Sequence, residues 1–156
     1  PSTDNVSIGE LVDIDGNVYS TVVIGTQHWM AENLKVTKYR NGDNITHITT
    51  NSSWRTDTDG AYGYYNNDTD NIDTYGMLYN WYAVDNSSGL CPQGWHVPTE
   101  TEFSALSTTY TRNQLIESGS SGFNAVLAGL RSYSSGYYSS LGTYTYFWTS
   151  QNYYSG

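Results

Sequence analysis

Cysteine is almost absent from this sequence. Cys91 stands alone among 156 residues, so no intramolecular disulfide can form within them. Basic residues are nearly as scarce: six Lys and Arg against fifteen Asp and Glu leave a net charge of −9, which is the wrong sign and too few cations for binding nucleic acid. No apolar run approaches the roughly 18 residues of a membrane span. The opening PSTDNVSIGE has no basic-then-apolar signal, so the chain reads as mature and soluble. Catalytic spacings are missing as well. His28, His47 and His96 lie far apart with no His-x3-His or Cys-x2-Cys pattern for zinc. Cys91 adjoins Pro92 in a block whose Trp95 and Val97 read as core, which does not suit a nucleophile. The expectation is a protein that is not an enzyme and whose partners are neutral ligands, cations or other proteins.

What is abundant is aromatic and small polar. Sixteen Tyr and five Trp bring aromatics to 15%, above the charged fraction of 13%, a balance of folded chains rather than disordered ones. The length suits one domain, 1–156, able to bury about two-thirds of its unfolded surface. Few Lys and many Tyr, Asn, Ser and Thr point to an extracellular or cell-surface location. Five Asn-x-Ser/Thr triplets, at Asn5, Asn44, Asn51, Asn67 and Asn86, are mostly chance in so Asn- and Ser-rich a chain.

The pattern along the chain predicts an α+β domain. LVDIDGNVYSTVVI sets Asp15-Gly16 or Gly16-Asn17 between two alternating apolar runs, the signal of an N-terminal hairpin. After a turn at Gly25-Thr26, Trp29, Met30 and Leu34 point inward, and Glu32 and Asn33 need internal partners. Residues 41–74 are a long polar excursion anchored by Trp54. Leu78, Trp81 and Tyr82 share one face of a short amphipathic helix. Thr99 and Glu102 form a capping box that starts a second helix, with Phe103, Leu106 and Tyr110 on its apolar side, and residues 113–119 add one more turn. FNAVLAGLRSY then reads as strand, followed by Tyr-rich strands broken at Gly136 and Gly142.

Five blocks carry a resemblance: DIDGNVYSTVVIGTQHWMAENLKVTKY, YGMLYNWYAV, CPQGWHVPTETEF, GFNAVLAGLRSY and LGTYTYFWTS. In this order they resemble the Fibrobacter succinogenes major paralogous domain family. The resemblance implies an exported or surface-attached bacterial module with a C-type-lectin-like fold, akin to the formylglycine-generating enzymes, in which N- and C-terminal strands pair. The cysteines those enzymes use have no counterpart here, so the likeness transfers no activity. It also implies that family members run on to a closing Cys. The chain would then be C-terminally incomplete, with the partner of Cys91 beyond Gly156 or the missing strands supplied by a neighbour. Such a bridge would stabilise by about 2–5 kcal/mol, and Cys91 would sit at the surface-proximal end of the core.

Two groups of residues are candidate sites. Tyr133, Tyr137, Tyr138, Tyr144, Tyr153 and Tyr154 lie in a Tyr/Ser/Gly stretch whose flat rings and adaptable hydroxyls suit recognition. Tyr and Thr on a half-solvated sheet would give the same composition. Asp57, Asp59, Asp68, Asp70 and Asp73, with Asn66, Asn67 and Asn71, supply oxygens of the kind calcium takes, roughly six to eight at a time. They lack the EF-hand loop and its terminal Glu, and Asp and Asn are also common turn formers, so solvated turns stand beside calcium as the reading; no other cofactor is expected. The functional expectation is carbohydrate or surface adhesion, with a glycan or surface protein as partner, through the Tyr-rich face. The alternative is a structural subunit of a fibre or adhesin that self-assembles through strand edges. A hypervariable receptor-binding domain is the minor one.

Overall fold

The computed structural model describes residues 9–151 and builds them into three small sheets and a series of short helices, an α+β arrangement. In the first sheet, β1 (Gly9–Val12), β2 (Val18–Ile24) and β3 (Gln27–Met30) pair antiparallel in that order. The turn between β1 and β2 is where Asp-Gly places it. Gly16 has φ +86°, and its N–H donates to the Asp13 carbonyl at 3.1 Å. The Asp13 carboxylate accepts the N–H groups of Asp15 and Asn17 and, at 2.6 Å, the hydroxyl of Tyr19. Tyr19 is fully buried, and its oxygen also accepts the Lys35 N–H. Burial first, and then the Asp13 contact, push its phenol far above the ordinary value.

Residues 41–74, expected as one polar excursion, are instead largely structured. Two-residue β4 (Thr46–His47) runs parallel to β5 (Ala61–Gly63), which pairs antiparallel with β6 (Leu78–Tyr79). Between these strands lie α1 (Asn51–Thr56), a 3-10 turn at Tyr65–Asn67 and α2 (Asp70–Tyr75). The anchor is Trp54, buried as expected. The helix expected around Leu78, Trp81 and Tyr82 does not form as read. Leu78 is in β6, and the side chain of Asn80 accepts the Ala83 N–H, so α3 starts only at Trp81 and ends at Val84. That cap sets the helix register and leaves Tyr82 exposed.

The Thr99/Glu102 capping box is present and starts α4 (Glu100–Thr109), and α5 (Arg112–Leu115) follows. Five α-helices thus stand among the described residues where two were expected. The strand expected from Phe123 shrinks to β7 (Ala128–Arg131), paired antiparallel with β8 (Tyr138–Leu141). Two buried clusters form the core. One joins β2 and β3 to α4 through Val22, Trp29, Leu106 and Phe123; the other gathers Val36, Tyr39, Ile45, Tyr79 and Leu90. Glu32 and Asn33 find the partners their position requires: Glu32 accepts the Ser20 N–H, and Asn33 donates to the Tyr75 carbonyl.

Arg131 ties the parts together. It is only 7% exposed, yet no carboxylate pairs with it among the described residues. Its guanidinium donates to the carbonyls of Ile48, Thr49 and Thr50, ahead of α1, and to Gly136 in the β7–β8 turn. Its central carbon lies 4.2 Å from the ring centre of Trp54 and 4.8 Å from that of Tyr138. Four carbonyl dipoles and two ring faces replace the water that burial removes. The close approach demands small neighbours. A Cβ on Gly63 would lie 2.9 Å from an Arg131 nitrogen, and one on Gly136, at φ +76°, would lie 2.5 Å from the Asn51 carbonyl oxygen.

Arg131→Met should therefore lower unfolding stability by about 3 kcal/mol, because removing a buried donor leaves acceptors dry. Arg131→Lys should recover less than half of this, since an ammonium cannot match the planar fork. Urea denaturation with unchanged slope is the measurement. Full recovery by Lys would show that charge alone, and not the fork, holds this junction.

Candidate functional site

The Tyr candidates among the described residues do not form one surface. The tip between β7 and β8 is held by backbone bonds from Ser132 N to Tyr137 O and from Gly136 N to Ser132 O, and the Ser132 and Ser135 hydroxyls accept further N–H groups. On this stiff tip Tyr133 is 82% and Tyr137 67% exposed. Tyr138, the next residue, points the other way along the strand alternation. It is half-buried, covers Arg131, and donates to the Asn67 side chain at 2.9 Å. Burial raises its pKa, so it is a structural phenol as well as a candidate. Tyr144 lies beyond the far end of β8, exposed, beside Tyr146 and under the Arg112 guanidinium. Tyr153 and Tyr154 lie outside the described residues.

The Asp candidates are dispersed too. Asp57 is committed to local structure, accepting the Gly60 N–H at 3.0 Å and the Asn80 side-chain N–H at 2.7 Å. Asp68 accepts the Asp70 N–H, and Asp59, Asp68, Asp70 and Asp73 are exposed. Among the described residues no three acidic, His or Cys side chains gather to hold a metal ion. Asp15, read as a turn residue, does more than turn the chain. Burial acts to raise its pKa, but hydrogen bonds from Thr37 and the Lys38 ammonium 3.0 Å away together hold it below the ordinary value.

Sequence reasoning missed a groove of about 670 Å³. Trp95, read as core, is not buried, and of Trp29, Trp81, Trp95 and Trp148 only Trp29 is. Trp81 and Trp95 are half-buried, and Trp148 is 45% exposed. Trp95 and Trp148 line the groove with Phe103, Phe123 and Phe147, and Trp29 forms part of its floor. Trp148 is tethered by its indole N–H to the Tyr79 carbonyl at 2.9 Å. The Trp29 indole N–H is buried with no acceptor among the described residues, a state that costs about 1–3 kcal/mol. The one available signal was the density of aromatics in 95–103 and 147–148, which composition alone assigns to a core.

Cys91 also lines this groove, half-buried. Burial pushes its thiol up from an ordinary 9.0 to about 11, against a smaller opposing pull from Arg40. Arg40 in turn donates to the carbonyls of Cys91 and Trp95. Because the unfolded thiol ionises first, it binds fewer protons than the folded one between pH 9 and 11. This contribution to stability is therefore complete below pH 9 and is lost as pH rises through that window. Cys91→Ala should flatten the fall in stability between pH 8 and pH 10.5, measured by urea denaturation at both. An unchanged pH dependence would mean that the buried tyrosines carry it instead.

Residues 22–116 match the family described as Fibrobacter succinogenes major domain. No curated protein and no solved structure gives a significant match.

Proposed function

Since the chain belongs to the Fibrobacter succinogenes major domain family, we propose that it is an extracellular, non-catalytic binding module on a C-type-lectin-like scaffold, and that it recognises glycans through the β7–β8 tip. The observation that carries this reading is the exposure of Tyr133 and Tyr137 on a turn stiffened by serine hydroxyls and anchored beneath by Arg131. Sugars present apolar C–H faces that stack on such rings and hydroxyls that match the serines around them. Aromatics held in place in advance bind at a lower entropic cost than mobile ones. Tyr144 and Tyr146 form a separate, smaller aromatic surface.

Glycan-array screening of the purified protein should give binding that falls at least about tenfold in Tyr133→Ala and Tyr137→Ala, with stability changed by no more than about 0.5 kcal/mol. Binding undiminished in both variants, or none at millimolar glycan, would end this assignment.

A second reading, a fibre or adhesin subunit that assembles through strand edges, is favoured by one observation. The outer edge of β1 has no strand partner among the described residues, and beside it Val12 and Val18, cross-strand partners, are both exposed. Light scattering should then show oligomers that grow with concentration and are lost in Val12→Lys. A monomer at high concentration removes this reading.

A further inference from the structure

The groove runs along a strand edge. Every residue of β3 lines it: Trp29 enters from one face of the strand, and His28 and Met30 from the other. In the order β1-β2-β3 the outer side of β3 meets no strand among the described residues. The Ala31 N–H donates to the Ser20 carbonyl, one step beyond the Thr21–Met30 pair. Bonded and non-bonded pairs alternate in an antiparallel ladder, so Gln27 and Trp29 turn their backbone groups toward β2. His28 and Met30 turn theirs outward, and these find no internal partner among the described residues. The groove thus offers a row of backbone donors and acceptors, an aromatic floor and the unpaired indole N–H of Trp29. Glu10, Glu32 and Glu102 line it; Glu32 already faces Lys35 and the Ser20 N–H, Glu102 is held by Thr99 and His96, and Glu10 alone has no partner among the described residues.

We propose that this groove receives an extended polypeptide strand from another protein, added to the free edge of β3, with alternate apolar side chains on the aromatic floor and Lys or Arg against the glutamates. Strand addition explains the features together. The edge supplies main-chain hydrogen bonds, the floor accepts every second side chain, and the rim selects for charge. Glu10, the one glutamate of the rim without a partner among the described residues, decides the source. A second copy of this chain, itself at −9, brings the wrong sign to an acidic rim, whereas a basic strand brings the right one. The site shares no residue with the Tyr133/Tyr137 tip, so neither proposal depends on the other.

The test uses the complete protein and two synthetic peptides roughly one strand long, alternating Val and Thr, one ended by Lys and its twin by Glu. Tryptophan fluorescence follows binding through Trp29, Trp95 and Trp148, and hydrogen exchange follows the His28 and Met30 amides. The Lys-ended peptide is expected to saturate the signal and slow exchange at both amides, with the Glu-ended twin at least tenfold weaker. Glu10→Lys, at an exposed position that leaves the fold intact, should weaken the Lys-ended peptide several-fold, and Met30→Pro should abolish protection at the edge. Absence of saturable binding would overturn the proposal, as would saturation without slowed exchange or equal binding of the two peptides. Amides already protected in the peptide-free protein would overturn it too, since its own polypeptide or a second copy would then hold the edge.

Discussion

A buried guanidinium without a carboxylate is the constraint around which this fold is arranged. Arg131 reaches from β7 to three successive carbonyls ahead of α1 and to the turn that leads into β8, and it lies against the rings of Trp54 and Tyr138. Segments more than eighty residues apart are joined by one side chain. Arginine suits the task because its planar fork satisfies several acceptors at once and its weakly hydrated charge is tolerated against aromatic faces. Glycine at 63 and 136 follows from it, since a side chain at either position would collide with the joined segments. The exposed tip that carries Tyr133 and Tyr137 is held from beneath by the same group.

Polar groups elsewhere are satisfied mainly by hydrogen bonds, with Lys38 on Asp15 at 3.0 Å the closest of the few ion pairs. Asp13 closes its own turn and receives the Tyr19 phenol; Asn80 caps α3, accepts the Ala61 N–H and donates to Asp57. A chain with so few cations has little else with which to pair its carboxylates. The Trp29 indole is the exception, and it is found on the floor of the groove, where a missing acceptor gives a binding reading its physical content. The half-exposed Trp95 and Trp148 belong to the same region. Large rings at a surface contribute least to the fold and most to whatever covers them.

Local chemistry was legible where it acts over a few residues. Asp15-Gly16 specifies its turn because only φ > 0 closes so tight a loop, and Thr99 with Glu102 caps α4 because both orphan donors lie within reach. The α+β class and the family followed from such blocks. The readings that failed depended on neighbours distant in sequence. Leu78, Trp81 and Tyr82 have helical spacing, but β5 draws Leu78 into a strand, and Asn80 restarts the helix after it. The candidate tyrosines among the described residues lie in one Tyr/Ser/Gly stretch and yet occupy different surroundings, because strand alternation and the Arg131 clasp send Tyr138 inward while Tyr133 and Tyr137 stay in solvent.

From the sequence alone came the class, the N-terminal hairpin, the capped helix and the lack of an apolar run long enough for a membrane-spanning helix, which rest on composition or on contacts within a few positions, and the family, which rests on the resemblance of five blocks. The tertiary structure decided which aromatic rings are core and which line a groove, which aspartates are committed to turns, and which strand edge stays open. A ring's fate depends on what packs against it, and for Trp148 that neighbour is Tyr79, sixty-nine positions away. No local pattern encodes that distance, because the same side chain is stable buried or half-buried according to the surface the rest of the chain brings to it.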